Sequence, residues 1–229
     1  MGAVFFFIAK STRETPSPEE ESETAPEVAL QDRPIAKLTP SADGHWLTMN
    51  IEKIKIEAKT LDYELLYSLP DGRTQGVPGS VNLSGIKTIE RKLLMGSDSS
   101  GKLRYDEGVT QGTLTFKFRD DKGKLVAKFD TTWHLQGPVT DITSVDGKLK
   151  LTLKKAPIKT FFITMETFGL PEGAPEGIKA GPWGIFSSSA TKLSGTLDLG
   201  TPKSYRFSGT KWVEVTPANF DFGIFVGTN

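Results

Sequence analysis

From His45 onward the chain alternates apolar and polar residues with a period of two, and no other feature narrows its fold as much. Leu125, Ala127, Phe129, Thr131, Trp133 and Leu135 stand at every second position, with Val126, Lys128, Asp130, Thr132 and His134 between them. Side chains of an extended strand point to opposite faces in turn, so such a run buries one face and wets the other. Leu114, Phe116 and Phe118 repeat the pattern, as do Leu149, Leu151 and Leu153, and Phe220, Phe222, Ile224 and Val226. Leu47, Met49 and Ile51 are followed out of phase by Ile54, Ile56 and Ala58, which predicts a bulge near Glu52 and Lys53. Asp71-Gly72, Lys122-Gly123 and Asp146-Gly147 supply turns between these runs. No stretch of about 12 residues sustains a helical stripe, so the expected class is all-β and antiparallel.

A weak internal repeat suggests how the strands are organised. Leu69-Pro70-Asp71-Gly72 precedes Gly76-Val77, and Leu170-Pro171-Glu172-Gly173 precedes Gly177-Ile178; Lys59-Thr60-Leu61 and Lys159-Thr160-Phe161 lie upstream. Two units of about 90 residues match immunoglobulin-like β-sandwiches in size. The expected units are 45–137 and 138–229, meeting at Gly137-Pro138, with one continuous sandwich as the alternative. Their core is expected from Met49, Ile54, Ile56, Tyr63, Leu65, Leu114, Phe116, Phe118, Phe129, Trp133, Leu151, Phe161, Ile163, Leu197, Val213 and Phe222.

The first 44 residues read differently. Residues 2–9 are apolar and are followed by Lys10 and Arg13. Such a run is too short to span a bilayer, which takes about 20 residues. It lacks a charged leader before it and a small-residue cleavage site after it. Residues 1–10 are expected to be the distal part of an export or anchor helix, with a buried N-terminal strand as the alternative. Residues 11–44 carry Pro16, Pro18, Pro26, Pro34 and Pro40 among Glu19, Glu20, Glu21 and Glu23. That composition predicts a disordered acidic linker with a reach of roughly 30 Å. An apolar end and a Pro- and Glu-rich stalk together predict an extracytoplasmic domain held off a membrane, with the membrane touched through the N-terminal segment alone.

Charge and composition exclude several function classes. Lys plus Arg equals Asp plus Glu at 28 each, which gives no basic field for nucleic acid. Residues 1–44 hold four basic and eight acidic residues, so the tail is acidic and the body mildly basic. The absence of Cys removes disulfides, thiol nucleophiles and thiolate metal sites together.

Motifs that tempt toward chemistry lack their context. Residues 96–102 match the start of a phosphate-binding GxxxxGK loop, yet Leu103 stands where a hydroxyl must reach Mg²⁺ and no helix follows. Ser189 and Lys192 match SxxK, but a strand pattern follows where that chemistry needs a helix. His45 and His134 have no ligand at metal spacing, and His134 falls on the solvent phase of its strand. Acidic residues gather at Asp98, Asp106, Glu107, Asp120 and Asp121 without the spacing of a calcium loop. With no nucleophile, base and oxyanion donor to name, neither enzyme activity nor a cofactor or metal is expected.

Residues 94–108, 63–79, Lys211-Trp212-Val213 and 222–226 resemble uncharacterised, stalk-anchored surface proteins of small-genome candidate-phylum bacteria. The resemblance covers most of 45–229 and implies location and fold, with no chemistry attached. It also implies that a Cys pair of the relatives is replaced here by Asp98 and Leu103.

The functional expectation is a non-enzymatic binding or adhesion module that takes a surface glycan, a peptide or a protein. Loops on a rigid sandwich are where such scaffolds place recognition. The expected surface joins Asp98, Asp106 and Glu107 with Trp183, Trp46 and Trp212. A structural component of the envelope, packing beside its own copies, is the alternative; a hydrolase with an unrecognised site ranks below both.

Overall fold

The computed structural model describes residues 25–217 and 220–229. Nine strands form one antiparallel sheet, in the order β16 (Trp212–Glu214), β15 (Lys203–Phe207), β17 (Gly223–Thr228), β13 (Ile178–Ser187), β12 (Phe162–Glu166), β9 (Leu125–Gln136), β8 (Gln111–Arg119), β3 (Thr60–Ser68) and β4 (Thr74–Asn82). A three-stranded sheet joins β1 (Ile35–Pro40), β2 (Trp46–Glu52) and β5 (Ile89–Leu94). A second joins β10 (Asp141–Thr143), β11 (Lys150–Leu153) and β14 (Gly195–Asp198), and β6 (Gly96–Ser99) pairs with β7 (Lys102–Tyr105) alone. The class is all-β; among the described residues the one helical element is the 3₁₀ turn Leu30–Asp32.

The two small sheets cover opposite faces of the large one. β12 displays the switch, because Ile163 and Met165 belong to a cluster with Leu38, Met49, Phe116 and Trp133, while Phe162 belongs to a cluster with Ile142, Leu151, Trp183 and Phe225. Alternate side chains of one strand thus feed two cores. Each large apolar side chain buried in them is worth about 1.5–3 kcal/mol relative to exposure. On the face away from the first core, β3, β8 and β9 carry Asp62, Arg119 and Asp130, tied by Arg119–Asp62 at 3.1 Å and Thr115–Asp130 at 2.7 Å.

A shared turn starts both small sheets. In Ser41-Ala42-Asp43-Gly44 the Ser41 carbonyl accepts from Gly44 N, the Ser41 hydroxyl accepts from Trp46 N at 3.0 Å, and Asp43 Oδ1 accepts from His45 N. Ser144-Val145-Asp146-Gly147 repeats every one of these bonds with Gly147, Leu149 and Lys148. Yet the buried pairs differ in phase: Pro40–Leu47 and Leu38–Met49 in the first hairpin, Ser144–Leu149 and Ile142–Leu151 in the second. A one-residue change of phase turns the opposite face inward. That is what a hairpin covering the opposite face of the shared sheet requires.

The division expected at Gly137-Pro138 falls on a connection inside one continuous sheet. β9 pairs with β12 through Leu135–Ile163, His134–Thr164 and Trp133–Met165, so the halves share a ladder and not a boundary. The linker expected over 11–44 is also corrected in its second part. Ile35, Ala36 and Leu38 are buried in β1, which pairs with β2 along its whole length. Period-two apolar residues were hidden there among prolines; Pro40 ends the strand and Pro34 precedes it. Residues 1–10 and the rest of the linker before residue 25 lie outside the described residues.

Most of the expected core is buried, including Met49, Ile54, Leu65, Leu114, Phe116, Phe118, Phe129, Trp133, Leu151 and Ile163. Ile56, Tyr63, Phe161, Leu197 and Phe222 pack at the margins, and Val213 is half-buried on an edge strand. In place of a bulge at Glu52 and Lys53, β2 ends there: Lys53 adopts φ 56 and sends its ammonium to the Leu170 carbonyl at 2.6 Å.

Candidate functional site

One end of the large sheet gathers the loops. The C-terminal ends of β3, β9 and β13 and the N-terminal ends of β8 and β12 meet there by register. The β3–β4 turn, the β6–β7 hairpin, the 154–161 loop and the 188–194 loop all leave from this end. The β1–β2 turn joins them. His45 stacks on Tyr105 with ring centroids 4.3 Å apart and planes 9° apart, and a side chain at Gly44 would collide with the Phe161 ring.

The β6–β7 hairpin is built as an exposed arm with buried roots. All of its residues from Ser97 to Tyr105 are exposed, whereas Met95 before it and Val109 after it are buried in the first core. Its tip is a tight turn with positive φ at Ser100 and Gly101, and Asp98 Oδ1 accepts from Gly101 N at 2.9 Å. The residues that mimic a phosphate loop therefore form a hairpin turn. At the base, Asp106 N donates to the Met95 carbonyl and Asp106 Oδ2 accepts from the buried Tyr67 hydroxyl at 2.9 Å. Burial, reinforced by the Asp106 carboxylate, pushes the Tyr67 phenol well above its ordinary value.

Two clefts flank the β1–β2 turn. The first, about 450 Å³, is lined by Asp71, Arg73, Gln75, Arg104, Tyr105, Asp106 and Glu107. Asp71 is held below the usual carboxylate range by the Arg73 backbone N–H and then by the Arg73 side chain. Glu107 is strongly exposed, 3.9 Å from His45 Nε2. The second cleft, about 510 Å³, is lined by Ala42, Lys155, Pro157, Ile158, Lys159, Ser188, Ser189, Thr191 and Leu193. Asp43, beside Ala42, lies below its ordinary value chiefly because the Ser41 hydroxyl donates to it.

The expected binding residues do not form one surface. Asp106 and Glu107 line the first cleft and Asp98 stands at the hairpin tip. Trp46 is half-buried at the start of β2, opposite Leu94. Trp183 is 5% exposed in the second core and pairs with Glu166 at the far end of β12. Trp212 lies on the edge strand β16, its ring 5.5 Å from Phe207 and its Nε1 donating to the Glu172 carbonyl. Trp183 and Trp212 are thus separated from the hairpin, because the shared sheet sets the second half's aromatic residues into its own core and edge.

At the far end, a cleft of about 510 Å³ is lined by Lys148, Lys150, Glu166, Lys179, Trp183 and Asp198. Partial burial holds Glu166 above its ordinary value. Its lining mixes lysines with the carboxylates of Glu166 and Asp198, and Lys148 is paired with Asp146 at 3.0 Å.

His134 departs from the expected solvent-facing imidazole. It is half-buried with Nδ1 2.8 Å from the Thr143 carbonyl, which also accepts from Gln136 Nε2 and Thr164 Oγ1. A carbonyl accepts only, so Nδ1 carries the proton and the ring is structural. Tyr105, Arg73 and Arg104 escaped the sequence reading, which looked for aromatic residues by Trp. The signal for the second cleft was present: residues 147–165 hold five lysines and no acid. No protein-family model matches the chain, and neither do curated proteins or solved structures.

Proposed function

We propose that this protein is a non-enzymatic, extracytoplasmic binding module whose recognition surface is the loop end, centred on the β6–β7 hairpin. The observation that carries the reading is the hairpin itself. It adds no side chain to either core between its roots, yet Tyr67–Asp106 and the His45–Tyr105 stack hold it in one orientation. Surface held rigid without stabilising the core is what recognition needs, since an ordered loop loses less entropy on binding. Tyr105 offers an aromatic face, and Arg73, Gln75, Arg104 and Glu107 offer planar hydrogen-bonding groups around it. That combination suits a glycan or a peptide.

The extracytoplasmic setting rests on the composition of residues 1–24. We read the all-β body as two sandwich-like layers built on one shared sheet, which the separate cores on its two faces support.

Guarded edges favour this reading over assembly with copies of the chain. The outer edge strand β4 carries Pro78, β16 has three residues, and β5 carries Glu90, Arg91 and Lys92. Proline, brevity and charge are the devices that keep edges from pairing. The test is a glycan and peptide array with sedimentation of the same chain. A monomer that binds a ligand and loses it on Tyr105→Ala supports the module; concentration-dependent oligomers without a ligand end it in favour of an envelope component.

A further inference from the structure

The second cleft at the loop end has an unusual electrostatic character. Lys155 and Lys159 line it, and Lys154 and Lys192 stand next to lining residues in the sequence; all four are exposed, and none has an acidic partner among the described residues. The other two clefts carry carboxylates in their linings, Asp71, Asp106 and Glu107 in the first and Glu166 and Asp198 at the far end, whereas this one carries none. No acid occurs in 147–165 or in 177–197, the segments that supply nearly all of the lining. The carboxylate of Asp43, next to the lining residue Ala42, is already engaged by the Ser41 hydroxyl and His45 N.

Hydroxyls and apolar groups complete the lining. Ser189 and Thr191 bond to each other at 2.8 Å and remain reachable, and Ser188 accepts from Phe161 N. Pro157, Leu193 and Ile158, 83% exposed, give apolar surface between the cations. Lys159 holds φ 50, a left-handed conformation that a non-glycine residue seldom adopts and that collects at functional positions.

Resting on the loop-end reading above, we propose that this cleft takes the acidic groups of a polyanionic glycan. Lys155 and Lys159 meet its carboxylates or sulfates, Ser189 and Thr191 its hydroxyls, and Pro157 and Ile158 the C–H faces of its rings. Unpaired ammonium groups lose little on meeting an anion, because no internal ion pair must first break. A concave site between two loops fits a chain better than a flat lipid surface does. The β1–β2 turn links the two clefts: Ala42 lines this one and His45 stacks on Tyr105, which lines the other. One extended ligand can therefore cross both.

The experiment is affinity electrophoresis of the full chain in gels containing polygalacturonate, dextran sulfate or neutral dextran. The chain's formal net charge of zero means that bulk charge gives no retardation. The expected result is retardation by an anionic polymer and none by dextran. Lys155→Gln with Lys159→Gln weakens it about tenfold, and added salt removes it. Lys122→Gln with Lys124→Gln, equal in charge but on the β8–β9 turn at the opposite end, leaves it unchanged. These lysines are exposed, so all variants should melt like the wild type.

Equal loss in the two double variants overturns the proposal, as does equal retardation by dextran. Binding to phosphatidylglycerol vesicles and to neither anionic polymer overturns it in favour of a lipid surface. If Tyr105→Ala abolishes binding of an array ligand while the Lys155 and Lys159 changes do nothing, the loop-end reading stands and the polyanion falls. If neither change affects any ligand, both fall.

Discussion

The hydroxyl of Tyr67 donates to Asp106 at 2.9 Å, which ties β3 of the large sheet to the base of the exposed β6–β7 hairpin. Tyr67 is 2% exposed, so its partner satisfies a hydroxyl that water does not reach.

Tyr67→Phe removes that bond and is expected to cost about 1–3 kcal/mol. Urea denaturation measures the loss, and amide exchange should quicken in the hairpin before it quickens in β8 or β9. The phenol's folded pKa lies above its ordinary 10.0. The neutral form is therefore the one the fold favours; its contribution is complete below about pH 10 and is lost as pH rises beyond it. Above about pH 10 the wild type should lose stability with rising pH more steeply than Tyr67→Phe does.

Ser144→Ala strips the acceptor from Leu149 N and the hydroxyl from Asp146. At this buried position we expect a loss of about 1–2 kcal/mol, and less for Ser41→Ala in the more open first turn. Burial raises the Asp146 pKa, but the Ser144 hydroxyl and Lys148 outweigh it, and the net shift is downward. Such a carboxylate stabilises fully above its unfolded value, and the benefit is lost as pH falls through the folded one. Acid titration of stability should therefore be shallower in Ser144→Ala.

Met49→Ala in the first core and Leu151→Ala in the second should each cost about 2–5 kcal/mol. Because β9 and β12 pair, both are expected to lower the midpoint of one shared transition, as followed by calorimetry. A chain ending at Pro138 would leave the edge of β9 from Trp133 to Gln136 without its β12 partner; sedimentation should find it aggregated. Two separate transitions in the intact chain would refute the shared sheet.

Gly112 stands opposite Trp133 across the β8–β9 ladder. A Cβ there would lie 2.0 Å from the Leu66 carbonyl and 2.5 Å from the indole. Gly112→Ala should cost about 2 kcal/mol or more. Gly101→Ala, at φ 82 with open space around it, should cost about 1–2 kcal/mol from conformation alone. Thermal melts of the pair separate lack of room from backbone strain.

Strand content and turn positions were legible because both are local. Leu125 to Leu135 buries the alternate set that its pattern predicts, and Asp71-Gly72, Gly123 and Asp146-Gly147 lie in turns. The repeat of Leu69-Pro70 and Leu170-Pro171 marks the connections of two hairpins, β3–β4 and β12–β13. The stronger repeat, Ser41-x-Asp43-Gly44 and Ser144-x-Asp146-Gly147, is equally local, but its first copy lies within a proline-rich stretch whose composition masks the strand before it. Of the site, Asp98, Asp106 and Glu107 were found as an acidic loop. Their neighbours Arg73 and His45 come from other elements, which no local pattern joins to them.

By itself the sequence determined which residues alternate, where the chain turns, and that no cysteine clamps the loops. Tertiary structure alone decided that β9 pairs with β12, that one sheet carries two cores on opposite faces, and that Trp183 is buried while Tyr105 is exposed. The physical reason is range. Alternation and turn preference act within a few residues, whereas strand pairing is chosen by which apolar faces can be covered at once. A strand such as β12, buried on both sides, carries no polar phase to announce which face meets which core.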